Sequence, residues 1–190
     1  MLFLVNKKSK IIVCADGGLY HAQKLSVRPH LLIGDFDSVQ GEYDTGVETI
    51  RLSVKKDDTD TVAAVKEALN RGYRDFLFFG VTGGRLEHTL GNIYILEYLI
   101  NYDATGKIID DTSEIYLVKN GSISIKKGSG HYFSLIAING VCRGVTIQGA
   151  MFPLSDAVIE PHYQYGISNE VTNEYATVEV KEGTLLVILS

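Results

Sequence analysis

The hydrophobic period changes once along this 190-residue chain, near residue 104, and that change limits the folds open to it. From Ile11 to about Tyr102, short apolar runs alternate with stretches at helical spacing, the pattern of a parallel sheet covered by helices. The strand candidates are residues 11–15, 31–33, 47–52 and 76–81; the first, second and fourth are continuously apolar, as strands buried on both faces should be. Val62, Val65 and Leu69 mark a helix, with Asp58 to Asp60 in front and Gly72 behind as start and stop signals. Leu86, Leu90, Ile93, Leu96 and Ile100 predict a second helix, apolar almost all round and deeply buried. Leu19 to Leu25 predicts a shorter one, stopped before Pro29.

After Gly106 the spacing turns to two. Ile115 and Leu117, then Ile123 and Ile125, alternate on either side of Lys119-Asn120-Gly121-Ser122, a hairpin-turn signature. Residues 132–138, 145–148, 176–180 and 185–189 are further strands, with Gly183 at a second hairpin turn, so this half reads as a sandwich or barrel. The expected fold class is therefore α/β, an N-terminal mostly parallel sheet flanked by helices (residues 1–104), followed by an all-β domain (105–190) across a compact joint at Asp103 to Thr112.

Charge and composition remove several function classes. Eighteen Lys+Arg against 23 Asp+Glu give a net charge of −5 and no basic patch, so no nucleic-acid partner is expected. Met1 to Lys10 is too short an apolar stretch for a signal peptide or membrane helix, and Cys14 and Cys142 form neither a disulfide framework nor a zinc pattern, so a soluble protein of the reducing cytoplasm is expected.

The polar residues fall at strand ends. Asp16-Gly17-Gly18 follows the first strand, Gly34-Asp35-Phe36-Asp37-Ser38 the second, Asp57-Asp58-Thr59-Asp60 comes shortly after the third, and Thr82-Gly83-Gly84-Arg85-Leu86-Glu87-His88 follows the fourth. Ligands of open α/β sheets bind outside the carboxyl ends of the strands, so the clusters would share one crevice if these strands are parallel. Asp35, Asp37 and Asp60 converging there would repel one another without a cation, and an oxygen-only set suits Mg²⁺, which arrives with substrate phosphates. Gly83-Gly84 lets backbone N–H groups approach a phosphate at a helix N-terminus, and Arg85 supplies a planar fork. Facing carboxylates across a phosphate, this loop points to phosphoryl transfer. Taken singly, each cluster has a structural explanation: Asp-Gly-Gly as a tight turn, Asp58 to Asp60 as helix caps, Gly83-Gly84 as a hinge. Two carboxylates directly after a buried strand have none. Of the histidines only His88 lies inside a cluster.

In this order, Ala15-Asp16-Gly17-Gly18, Gly34-Asp35-Phe36-Asp37-Ser38, Asp57-x-Thr59-Asp60 and Gly83-Gly84-Arg85-Leu86-Glu87-His88-Thr89 resemble the thiamine pyrophosphokinase family. Gly149-x-x-x-Pro153-Leu154 and Gly166-Ile167-Ser168-Asn169-Glu170 are similar to its C-terminal motifs. The resemblance implies a Rossmann-like nucleotide-binding catalytic domain, a β-sandwich thiamine-binding domain, and a homodimer with a shared thiamine pocket. It implies transfer of pyrophosphate from ATP to the thiamine hydroxyl, giving thiamine diphosphate and AMP, with Mg²⁺ on Asp35, Asp37 and Asp60. Asp37, Asp60 and Arg85 would be catalytic, and Asp37 or Asp60 would take the hydroxyl proton. Asp16, Gly17, Asp57, Thr82, Gly83, Gly84, Arg85 and His88 would surround the nucleotide; Glu87, Ser168 and Asn169 would contact substrate, the last two from the partner subunit.

This sequence departs from the family in three places. Too little chain precedes Ile11 for the usual strand, glycine loop and parallel crossover. Glu87 stands where Asp is common. There is no Trp, so stacking on thiamine falls to Tyr or Phe, with Phe152 and Tyr165 as candidates. Two rivals remain. Leu31 to Val39 also resembles the motif of haloacid-dehalogenase-type phosphatases, which would make Asp35 a nucleophile. The other is a Mg²⁺–nucleotide-binding protein that has lost catalysis.

Overall fold

A computed structural model describes residues 2–6, 10–36, 46–55 and 57–190, and the chain divides into two compact units, Met1–Asp110 and Asp111–Ser190. The first contains β1 (Leu2–Asn6), β2 (Lys10–Ala15), β3 (Leu31–Gly34), β4 (Glu48–Arg51), β5 (Asp75–Phe79) and β6 (Thr105–Ile109), with α1 (Gly18–Lys24), α2 (Asp60–Asn70) and α3 (Leu86–Ile100). Its strands lie in the order β6-β5-β1-β2-β3-β4. The pairs β2/β3, β3/β4 and β5/β6 are parallel, while β1 is antiparallel to both of its neighbours, β2 and β5. Two reversals restore the direction, so β2 through β6 all run the same way and their carboxyl ends share one rim. The short segment before β2 thus makes an antiparallel pairing, which needs no crossover.

Burial follows the apolar runs. Val13, Cys14, Ala15, Leu31, Leu32 and Ile33 are each at most 1% exposed, as strands covered on both faces require. In contrast, Glu48 and Arg51 of β4 are exposed, the polar character that protects a sheet edge. Helix α2 buries Thr61, Ala64, Val65, Ala68 and Leu69, a stripe at i, i+3, i+4, i+7 and i+8. Val62, expected on that stripe, lies beside it. Helix α3 is not buried all round: Leu86 and Leu90 are 69% and 49% exposed, and the inward face is Asn92, Ile95, Leu96 and Leu99. The reason is that one face alone packs on the sheet, against β6, while Leu86, Leu90 and Tyr94 face away from it. There Gly106 permits the contact, since a Cβ would stand 2.6 Å from Leu99 and 2.9 Å from Leu96.

The strand β6 was hidden in the expected joint. It pairs with β5 along its whole length, which carries the first unit to Asp110 where the periodicity had placed the boundary at 104.

The second unit consists of β7 (Glu114–Lys126), β8 (Phe133–Gln148), β9 (Leu154–Ile159), β10 (Gly166–Asn169) and β11 (Tyr175–Leu189), in the order β10-β8-β11-β7 with β9 also on β8. The two expected hairpin turns are not turns. Lys119-Asn120-Gly121-Ser122 lies inside β7 and Gly183 inside β11, and the two sites face each other, with the Gly183 N–H donating to Asn120 Oδ1 at 2.9 Å. Asn120 (φ +47°), Asn139 (φ +58°) and Gly183 (φ +115°) are irregularities in three long antiparallel strands. Along β11 the residues that enter the core cluster change from Ala176, Val178 and Val180 to Leu185, Val187 and Leu189, even numbers to odd. The extra residue keeps both halves of the strand turned to one core. Left-handed Asn and Gly serve a bulge as well as they serve a two-residue turn, which is why the local signal misled.

Among the described residues, no helix is long and apolar enough to cross a membrane.

Candidate functional site

Three strand ends are stitched together at the rim. The Asp16 N–H donates to the Ile33 carbonyl at 2.9 Å and the Leu52 N–H to the Gly34 carbonyl at 2.9 Å, joining the ends of β2, β3 and β4. Gly34 is packed so closely that a Cβ would lie 3.2 Å from both Cα and N of Asp16. Asp16 itself has φ +43°, a left-handed conformation that Asp tolerates better than most residues. Just past Gly34, Phe36 (φ +59°) is 7% exposed and packs into a core cluster with Cys14, Leu19, Ala22, Leu32 and Val47. The Arg51 guanidinium lies 5.5 Å from the centre of its ring. Anchoring Phe36 inward holds half-buried Asp35 at the rim. Asp37 lies outside the described residues.

The acidic run before α2 divides by role. Thr59 is the cap, its side chain accepting from the Val62 N–H at 3.3 Å. Asp58 pairs with Lys66 at 2.6 Å on the surface. Asp60 opens the helix, where the dipole favours a negative charge. Asp57 is exposed. Because α2 returns antiparallel to the strands, its first turn, with Asp60, stands at the same rim as Asp35.

Beyond β5 the loop is held from beneath and open above. Buried Asn92 donates Nδ2–H to the Val81 carbonyl at 2.8 Å, and Thr89 Oγ1 donates to the Gly83 carbonyl at 3.2 Å, so α3 fixes the loop that precedes it. Thr82 Oγ1 donates to Asp110 Oδ2 at 2.9 Å. Gly83 (φ +79°) and Gly84 (φ +64°) take the left-handed conformation, and a Cβ on either would meet nothing within 4 Å. This open glycine surface ahead of a helix N-terminus is where a phosphate can approach backbone N–H groups. Across the rim, the His21 ring of α1 lies over Gly80, 3.2 Å from where a Cβ would be, which links the end of β5 to the Asp16-Gly17-Gly18 turn.

Arg85 and Glu87, expected to meet phosphate and substrate, meet each other: Nε to Oε1 is 2.5 Å, with side chains 73% and 63% exposed. The Glu87 backbone N–H and then the Arg85 guanidinium hold the Glu87 carboxyl below the usual carboxylate range. His88, on the first turn of α3, is exposed.

The second unit holds a cavity of about 360 Å³ lined by Phe152, Tyr165, Met151, Leu154, Ile167 and Asn169 among others. Phe152 and Tyr165 are 61% and 50% exposed, and Tyr163 stacks on Tyr165 with ring centres 6.1 Å apart. Apolar walls with aromatic faces and no charge suit a flat, heteroaromatic cation. Asn169 is 4% exposed, and its carboxamide bonds the backbone of Phe152. Ser168 (φ +58°) is exposed, and its N–H donates to Ser134 Oγ at 3.0 Å.

Four strand ends, those of β2, β3, β4 and β5, thus bring Asp16, Asp35, Asp60 and the Thr82–Arg85 loop to one rim. Among the described residues, no three His, Cys, Asp or Glu side chains gather into a cluster able to hold a metal ion. Sequence reasoning missed Asp110 at the end of β6. Ile108-Ile109-Asp110 repeats the signal of an apolar pair ended by a carboxylate that drew attention to Asp35.

Two family models match the chain. One, described as thiamin pyrophosphokinase, catalytic domain, covers residues 3–108; the other, described as thiamin pyrophosphokinase, vitamin B1 binding domain, covers residues 121–185. The thiamine pyrophosphokinase of Bacillus subtilis (strain 168) is 28% identical over 181 residues, covering 92% of this chain and 85% of the relative. The crystal structure of thiamine pyrophosphokinase from Bacillus subtilis matches with a TM-score of 0.87 at 27% identity, covering 94% of this chain and 86% of that one. That of thiamin pyrophosphokinase from Geobacillus thermodenitrificans matches with a TM-score of 0.83 at 28% identity, covering 94% and 85%.

Proposed function

This chain belongs to the thiamin pyrophosphokinase family, and on that premise we propose that its parallel-sheet unit binds ATP, that its β unit binds thiamine, and that the pyrophosphoryl group passes from ATP to the thiamine hydroxyl. The observation that carries this reading is the common rim at the ends of β2 to β5, with carboxylates on one side and an open glycine loop on the other.

The thiamine hydroxyl oxygen attacks the β-phosphorus of ATP. A new O–P bond forms as the bond from that phosphorus to the oxygen shared with the α-phosphate breaks, and AMP leaves. Gly83 and Gly84 offer backbone N–H groups to the phosphates, and Arg85 turns from Glu87 to the developing charge. Thr82, Asp16, Gly17, Asp57 and His88 surround the nucleotide. The oxygen donors fit Mg²⁺: Asp35, Asp37 and Asp60 would hold it, and it would neutralise charge on the phosphate oxygens. The proton leaving the hydroxyl passes to Asp37 or Asp60. A primary alcohol needs alignment and charge neutralisation more than a strong base. The reading includes a cytoplasmic homodimer with a shared thiamine pocket, and Glu87 and Ser168 would contact substrate.

The dehalogenase-type phosphatase reading is not favoured. Its nucleophile sits on the first strand of that fold, whereas Asp35 follows β3, and both family models name a different chemistry.

The test is turnover of thiamine and ATP by the purified chain and its Asp37→Asn variant, each in Mg²⁺ and in excess chelator. The wild type is expected to release AMP only with thiamine and Mg²⁺, and the variant to be orders of magnitude slower with its fold intact. Equal rates with chelator would remove the metal from the account, and a wild-type rate in the variant would remove Asp37.

A further inference from the structure

We propose that Asn169 is a positioning residue that acts through Phe152, fixing the aromatic wall of the cavity in the β unit rather than touching substrate. The proposal deepens the functional reading above and rests on that cavity being the thiamine pocket.

The segment carrying Phe152 runs antiparallel to the end of β10. Ala150 bridges to Val171, and the Met151 N–H donates to the Glu170 carbonyl at 2.9 Å. The next residue is Phe152, and Pro153 behind it has no N–H with which to extend a ladder. At that point the Asn169 side chain takes the place of a strand. Its Oδ1 accepts from the Phe152 N–H at 3.0 Å, and its Nδ2 donates to the Phe152 carbonyl at 2.8 Å, so one carboxamide satisfies both backbone groups as a paired peptide would. The same Oδ1 accepts from the Glu170 N–H at 2.9 Å. Three of the four hydrogen-bonding positions of the amide are thereby committed to protein, and the residue is 4% exposed. Phe152, in contrast, is 61% exposed on the cavity wall. A ring so exposed has little packing of its own to orient it, so its backbone must be fixed for the ring to present a face. A flat cation gains from a ring held in place, because ordering it beforehand removes that cost from binding.

The experiment is steady-state kinetics of the full chain and of Asn169→Ala, Phe152→Ala and the double variant, with thiamine and ATP varied in turn. Asn169→Ala is expected to raise the KM for thiamine about tenfold, a change of the size that losing a backbone clamp produces, with kcat and the KM for ATP within about twofold. In the Phe152→Ala background the Asn169 substitution is expected to add nothing further. Multiplicative effects in the double variant would show direct contact with substrate and overturn the proposal, as would an unchanged thiamine KM in Asn169→Ala. Asn169→Ser is uncharged and too short to bond both backbone groups of Phe152, so it carries the same comparison if the alanine variant does not fold. A wild-type protein that does not saturate with thiamine would overturn the functional reading itself, whereas saturation with multiplicative variants would overturn this role alone.

Discussion

Thr82 Oγ1 donates to Asp110 Oδ2 at 2.9 Å, tying the end of β5 to the end of β6 beside the glycine loop. The bond sets the direction of a side chain that would face the nucleotide. Thr82→Val and Asp110→Ala are each expected to raise the KM for ATP several-fold, and to cost about 1.5 kcal/mol of stability, the scale of one partly buried hydrogen bond. Parallel ATP titrations and urea melts of both variants check this. An unchanged ATP KM in both would place Thr82 outside the nucleotide site.

Gly84 needs its φ of +64° more than it needs space, since a Cβ there would meet nothing within 4 Å. Gly84→Ala is therefore expected to cost about 1–2 kcal/mol in backbone strain alone, and to weaken ATP binding because the methyl group covers the open face. Denaturant unfolding gives the first quantity and calorimetry with ATP the second.

The front of α2 separates a cap from a surface pair. Thr59→Ala removes the acceptor for the Val62 N–H and is expected to cost about 1 kcal/mol. Asp58→Asn breaks an ion pair whose side chains are 39% and 44% exposed, and is expected to change stability by at most about 1 kcal/mol, less in high salt. Unfolding at two ionic strengths distinguishes them.

Two groups of the first unit make its stability depend on pH at opposite ends of the range. Burial pushes the Cys14 thiol from 9.0 up to about 11. A raised pKa favours the protonated form in the fold, so this contribution is fully present below pH 9 and is lost as pH rises toward 11, on the order of 2 kcal/mol. Burial lowers the pKa of His21, so the neutral ring is favoured over Gly80. Its contribution is present above the unfolded value of 6.5 and is lost as pH falls through the lower folded one. Unfolding free energy measured from pH 5 to 11 is expected to fall at both ends, with Cys14→Ala reducing the alkaline loss and His21→Gln the acid one. Native Cys14 is also expected to resist alkylation at pH 8.

Much of the parallel-sheet unit was legible because burial on two faces writes continuous apolar runs at residues 11–15 and 31–33, whereas β5, equally apolar in sequence, buries Phe76 and Phe78 and leaves Leu77 and Phe79 half-buried. The rim was legible because carboxylates and glycines directly after such runs have little folding purpose. β6 was harder: Gly106 and Lys107 interrupt its apolar run, and the glycine is there for close packing under Leu96 and Leu99. The β unit failed at Asn120-Gly121 and Gly183, because left-handed conformation marks a bulge and a turn alike, and only the partner strand decides which. Asn169 was read through resemblance as a substrate contact. Its bonds to Phe152, 17 residues away in sequence, depend on the pairing of segments that no local pattern reveals.

The most direct test of pyrophosphoryl transfer is phosphorus NMR of ATP, thiamine and Mg²⁺ turned over by the purified chain. AMP and thiamine diphosphate are expected to rise together, one for one, with no ADP and no orthophosphate. ADP accompanied by thiamine monophosphate, or nucleotide consumed at the same rate without thiamine, would contradict the account.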